Sequence, residues 1–318
     1  MKFREQYPGF ERTLAAIGLT RNAFEHIQSA IFDTYDRLAA PLPESSKWKH
    51  EKPKHARKAL TEVCAFAELL GLTEPLMQYI ALACSAHDLG RMVQANKRAS
   101  TRPDGFDIVF EDDRKPIPYD DNDERHGYES VLLLRPILGL FAETDAGVWL
   151  LGAVRHHSRK ANPTLEMCGG SEESLALCGI VRDIDKVLGF QDAADYTGNP
   201  ERKAKERLQN WPKQIETDLA WGTELGRVDP AEFLTATSLE VPIDRQKCRS
   251  YEAYMLQFLK WFFGFVRPEM QEVALNEGGP QIVAAYLLRQ LEATPEQREQ
   301  LHVMLKTYRN GVLLRLAT

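Results

Sequence analysis

The chain has 318 residues, 43% of them hydrophobic and 27% charged, with a formal net charge of −6. That balance is ordinary for a globular protein of one large or two small domains, and it lacks the basic footprint a nucleic-acid polymer needs, which argues against a nucleic-acid coat. No apolar run approaches the roughly 20 residues that span a bilayer, and residues 1–6 lack the apolar centre of a signal peptide.

Residues 10–40 carry the spacing of one or two amphipathic helices, ended by Pro41 and Pro43. From His55 a stripe through Ala59, Val63, Phe66 and Leu70 predicts a helix that carries His55 on its buried face, with Gly71 as its C-cap. Thr73 is placed to cap the next helix, with Pro75 in its first turn. Its stripe of Leu76, Ile80, Ala83 and Cys84 leads to His87, and Gly90 is expected to end it. Residues 95–125, with Pro103, Gly105, Pro116, Pro118 and many aspartates, read as a long functional loop. His126 then opens a helix through Ser130, Leu133 and Ile137.

The following helix has Trp149, Ala153 and His156 on one side, and Leu150, Val154 and His157 on the neighbouring side. After a loop at 160–170, Ser171 is a cap for a helix with Glu172 and Glu173 in its first turn. That helix bears Cys178, Val181, Asp185 and Leu188 on one stripe. Residues 201–250 are polar and irregular. Tyr251, Tyr254, Phe258, Trp261, Phe262 and Phe265 then form an aromatic stripe, suited to a core or to a homodimer face, and helices are expected near 280–293 and 295–310. The expected fold is all-α, in three parts: N-terminal helices over 1–44 packing on the core, a five-helix metal-binding core over 45–195, and a C-terminal helical extension over 196–318. Five cysteines (Cys64, Cys84, Cys168, Cys178 and Cys248), odd in number and without a CxxC pair, point to free thiols and a cytoplasmic location.

The chemistry is concentrated in five short pieces: His55, His87-Asp88, His126, His156-His157 and Asp185. They recur at intervals of 28 to 38 residues on helical segments, as expected if successive antiparallel helices each deliver a ligand to one centre. Imidazole nitrogen and carboxylate oxygen together suit a borderline or hard divalent ion, and the second oxygen of Asp88 is available to bridge to another ion. Lys47, Lys49, Lys52, Lys54, Arg57 and Lys58 crowd around His55, and Arg155, Arg159 and Lys160 flank the double histidine. Such runs are often a solvated face, yet positive charge beside a metal site also suits an anionic substrate. His26, His50 and His302 lie outside the pattern.

The ordered set resembles the HD-domain superfamily over residues 45–195. The matching strings are Lys54-His55-Ala56-Arg57, Ala86-His87-Asp88-Leu89-Gly90-Arg91, Glu124-Arg125-His126-Gly127, Arg155-His156-His157 and Ile184-Asp185-Lys186. The resemblance implies a first ion held by His55, His87, Asp88 and Asp185. It implies a second held by His126 and His156, with Asp88 as the catalytic bridge. His157 would ligate too, or hydrogen-bond a substrate phosphate. Asp185-Lys186-Val187 fits the family's last ligand, whereas Asp183 points elsewhere on its helix. Arg91 stands where many relatives carry lysine; it, Lys186, Arg155, Arg159 and Lys160 are the candidate phosphate clamps.

The implied activity is that of a metal-dependent phosphohydrolase, a phosphatase or phosphodiesterase acting on a small phosphorylated substrate or nucleotide. It would use metal-activated water, one or two divalent ions (Mn, Mg, Fe, Ni, Co or Zn) and no organic cofactor. The stringent-response branch resembles His-Asp followed by an acidic pair, where this chain has Leu89-Gly90-Arg91. The cyclic-dinucleotide branch resembles Gly-Tyr-Pro after the double histidine, where this chain has Ser158-Arg159-Lys160-Ala161. The alternative on the same ligand set is a di-iron oxygenase acting on a small polar substrate, and the basic surroundings favour hydrolysis. A sensing module without catalysis fits less well, because the ligand set is intact.

Overall fold

A computed structural model of the chain describes residues 3–44, 46–101, 119–158, 163–168, 170–198 and 264–276, with short pieces between 294 and 303. The fold is all-helical, with no strand among the described residues. In chain order the helices are α1 (Phe3–Gln6), α2 (Gly9–Ile17), α3 (Arg21–Ala39), α4 (Lys47–Leu70), α5 (Glu74–Ala86), α6 (Leu89–Thr101) and α7 (Tyr119–Leu138). A 3-10 turn (Gly139–Glu143) leads into α8 (Asp145–His156), followed by α9 (Glu172–Gly198) and α10 (Pro268–Asn276). Among the described residues no helix is long and apolar enough to cross a membrane.

Helix α5 is the axis of the fold. Its run from Tyr79 to Ala86 is buried on every side, because the sequence alternates bulky residues with Ala81, Ala83 and Ala86, which let neighbouring helices approach closely. The helices α2, α3, α4 and α8 pack around it. An aromatic cluster seats the N-terminus on this axis: Phe10 meets Trp149 edge-on at 5.5 Å and tilts against Tyr79 at 6.0 Å. The Tyr79 hydroxyl donates to the Ala146 carbonyl at 2.6 Å, tying α5 to the start of α8.

The caps follow the sequence in part. Gly71 ends α4 at φ 64, a conformation that costs glycine nothing. Ser171 accepts from the Ser174 amide at 3.0 Å at the start of α9. Thr73 stands at the N-cap of α5 without a side-chain cap bond.

Three expectations need correction. The loop expected from residue 95 begins later: α6 continues to Thr101, its inner face formed by Met92 and Ala95. Gly90 is no terminator, since it lies inside α6 and its φ is not positive. It is small because the backbone of α7 passes over it, and a Cβ there would lie 2.0 Å from the His126 carbonyl oxygen. Helix α7 starts at Tyr119, ahead of His126.

The chain divides into two compact units, Met1–Asp185 and Lys186–Thr318, with the division inside α9. The N-terminal helices therefore share a unit with every candidate ligand. In the second unit Phe265 stacks on Phe190 at 6.3 Å. The rest of the aromatic stripe, the helix expected near 280–293, most of the 95–125 loop, Arg159 and Lys160 lie outside the described residues.

Candidate metal centre

Helix α5 delivers His87 and Asp88 at its end, which is the middle of the first unit. The side chains there are deeply buried: 2% exposed for His87, 5% for Asp88, and 1% each for His126 and His157. Asp185, at 33%, marks the side open to solvent.

The donors converge in two groups. His55, His87 and Asp185 bring one ligand atom each within 4.8 Å of one another, and so do His87, Asp88 and His157. In the first group Asp185 Oδ1 lies 3.4 Å from His55 Nε2 and 3.5 Å from His87 Nε2. In the second, Asp88 Oδ1 lies 3.9 Å from His157 Nε2; His126, outside both groups, brings its Nε2 to 3.3 Å from the same oxygen and 3.0 Å from His157 Nε2. An ion with bonds of about 2.1 Å needs donors roughly 3.0 to 3.4 Å apart; the separations of 3.0, 3.3 and 3.4 Å match this, and those of 3.5 and 3.9 Å are wider. Asp183, buried two residues before Asp185, is in neither group.

Two histidines are oriented by the same local device. His87 and His157 occupy the C-cap positions of α5 and α8. The Nδ1 of His87 contacts the Cys84 carbonyl at 2.6 Å, and that of His157 contacts the Val154 carbonyl at 2.7 Å. A carbonyl only accepts, so Nδ1 carries the proton in both rings and Nε2 of the neutral ring presents its lone pair to the centre. The buried Nε2 of His87 makes no hydrogen bond, and its neighbours are the two carboxylates. A buried lone pair of this kind fits an ion.

Of the two adjacent histidines that the sequence offers, His157 is the one whose nitrogen joins the His87–Asp88 group. His156 is buried on the adjacent side of α8, and its backbone carbonyl accepts from Arg182 Nη1 at 3.4 Å. That contact matters for Asp185, which follows Arg182 by one turn of α9. It ties this stretch of α9 to the end of α8, and with it Asp185 to the level of His157. His157→Gln is expected to weaken binding of a divalent ion by about tenfold to a hundredfold or more, and His156→Gln to leave it unchanged; calorimetric titration of both variants measures this.

Other ties hold the helices in register. Ser130 on α7 accepts from the Gly90 amide at 2.7 Å and donates to the His87 carbonyl at 2.8 Å. A Cβ on Gly127 would lie 2.3 Å from the Arg155 carbonyl, so α7 and α8 also approach through a glycine, next to His126.

The electrostatics favour ionised carboxylates. Burial alone would raise the Asp88 carboxyl, but Lys52, His87 and His126 hold it well below the usual carboxylate range. Asp185 behaves alike: packing opposes its ionisation, and the nearness of His55 and His87 prevails, holding it well below the usual carboxylate range. The His157 imidazole is pushed well down, first by burial and then by His126 and His87, which keeps it neutral. In protein stripped of metal the unfolded chain binds a proton near pH 6.5 that folded His157 refuses. Stability should then fall as pH drops below about 6.5, at up to about 1.4 kcal/mol per pH unit from this residue. Depressed carboxylates contribute only below about pH 4, so urea unfolding between pH 7.5 and 5.5 separates the histidines from the carboxylates, and His157→Gln should reduce the slope.

Two neighbours carry no ligand pattern in the sequence. Lys52 Nζ donates to Asp88 Oδ2 at 2.5 Å. Tyr35 is fully buried on α3, and its phenol is pushed well up by burial and by the nearby Asp88 and Asp185. Tyr35 continues the core stripe of Phe24, Ile27 and Ile31, so nothing in the sequence separates it from a packing residue. Among the candidate clamps, Arg91 Nε stands 3.8 Å from Asp88 Oδ1. Arg155 lies over the Tyr128 ring at 5.4 Å, and Lys186 donates to the Gly264 carbonyl above the Phe265 ring.

These His and Asp groups are of a kind that could hold a divalent ion. No protein-family model matches the chain, and no curated protein and no solved structure matches it, so the meaning of the centre rests on its own geometry.

Proposed function

We propose that the chain is a metal-dependent phosphohydrolase that cleaves a small phosphate ester or nucleotide, in the manner of the HD-domain superfamily it resembles. One observation carries this reading: the Asp88 carboxylate turns Oδ1 toward His126 and His157, and Oδ2 is the oxygen near His87 of the His55–Asp185 group. When bound there, divalent ions would supply an acidified water and offset charge on phosphate oxygens. The chain's own residues prepare for both. Asp88 and Asp185 are held ionised, His87 and His157 present fixed lone pairs, and Arg91, 16% exposed at the rim, offers a guanidinium to an arriving phosphate.

The same nitrogen-rich donor set is compatible with iron, which supports a second reading as a di-iron oxygenase. The deciding experiment is metal analysis of protein purified without added metal, paired with a panel of phosphate monoesters, diesters and nucleotides. Phosphate release that tracks metal content supports the hydrolase. About two irons per chain, with oxygen consumption and no phosphate release, would replace it with the oxygenase.

A further inference from the structure

The Asp88 carboxylate is shared between ligand histidines and a lysine. Lys52 Nζ donates to Oδ2 at 2.5 Å, and Oδ2 is also the oxygen 3.7 Å from His87 Nε2. Oδ1 is taken up by His126, His157 and Arg91. The ammonium thus bonds the oxygen that an ion held by His55, His87 and Asp185 would need. Lys52 precedes His55 by three residues, so both side chains leave the same face of α4. Trp48 lies one turn further back, its ring centroid 5.3 Å from the ammonium, and offers a second resting place. Lys52 is 24% exposed where Asp88 is 5%, so its head touches the buried carboxylate while part of the side chain reaches solvent.

We propose that Lys52 is a positioning residue of this centre, exchanged against the first ion: a divalent ion that takes Asp88 Oδ2 displaces the ammonium, which then binds an anionic oxygen of the ligand beside the ion. Two cations on one oxygen would sit within a few ångströms of each other in a buried, weakly screened place. The lysine has a flexible stem and the Trp48 face to move toward, whereas the other oxygen of Asp88 already has His126 at 3.3 Å. The released ammonium stays within one side-chain length of the centre, on its solvent side. The second step rests on the proposed function, in that the ligand is taken to be a phosphate; the exchange does not.

The test uses full-length protein stripped with a chelator. Mn2+ is titrated calorimetrically into wild type, Lys52→Met and Lys52→Gln, and inorganic phosphate is then titrated into each Mn2+-loaded form. Lys52→Gln keeps a hydrogen-bond donor for Asp88 and guards against a Lys52→Met chain that fails to fold. The first Mn2+ should bind about tenfold or more tighter in both variants, and phosphate about tenfold weaker, the scale of one charge-assisted hydrogen bond. A merely structural lysine would weaken Mn2+ binding when removed, so unchanged or weaker Mn2+ binding in both variants overturns the exchange. Unchanged phosphate binding overturns the assignment to an anionic ligand. Failure of all three forms to take up Mn2+ overturns the exchange together with the metal reading. The Mn2+ comparison involves no catalysis, so absence of phosphatase activity overturns the proposed function alone.

Discussion

Asp88→Asn is expected to lower divalent-ion affinity by more than about a hundredfold, beyond the range typical of residues that only orient ligands. The substitution keeps the side-chain shape and removes the charge. One oxygen becomes an amide nitrogen, which cannot ligate and would face either Lys52 or His126 with a donor where each meets an acceptor now. Stability should fall as well, by about 1–3 kcal/mol, because the Lys52 ammonium loses its buried counter-charge. Metal content after dialysis against Mn2+ reads the first effect and thermal melting by circular dichroism the second. A variant that keeps its full metal content would sink the assignment of Asp88 as the shared ligand.

The second large effect is expected from a single methyl group. In Gly90→Ala the new Cβ would meet the His126 carbonyl oxygen at 2.0 Å and its carbon at 2.8 Å, and both are backbone atoms that cannot rotate away. Overpacking of this kind should cost about 3 kcal/mol or more, measured by urea unfolding. Gly18→Ala is the contrast: nothing lies within 4 Å of its Cβ, but its φ of +64 makes a side chain unfavourable, at about 1–2 kcal/mol. The two glycines also differ in consequence. Gly90→Ala forces α6 and α7 apart between Asp88 and His126, so ion binding should fall with stability, while Gly18→Ala should leave ion binding intact. Equal losses at both positions would refute the close-approach role of Gly90.

That contrast explains much of what the sequence does and does not reveal. Its helices are legible where hydrophobic spacing and caps agree, as in the Gly71 end of α4 and the Ser171 start of α9. His55, His87 and Asp185 are legible because each continues an apolar stripe that has to face inward. Gly90 was not, since a glycine that terminates a helix and one that admits a neighbouring backbone look identical in a string. The rest of α6 was missed because its polar end, Asn96 to Thr101, resembles a loop, although Met92 and Ala95 are buried. Choosing between His156 and His157 was beyond spacing alone, because adjacent helical positions differ by only about 100°. The Val154 carbonyl orients His157, and that requires knowing where α8 ends. Lys52 was visible as part of a basic run, but its partner lies 36 residues away and no periodicity joins them.

The helix-end contacts of His87 and His157 have a consequence for how an ion is captured. A flexible side chain loses about 0.5–1.5 kcal/mol of freedom when a ligand immobilises it. Here the Cys84 and Val154 carbonyls immobilise both rings as soon as α5 and α8 form, so that loss belongs to folding. A divalent ion would then meet two imidazoles already aimed, and its binding energy would be left for the groups that must still move.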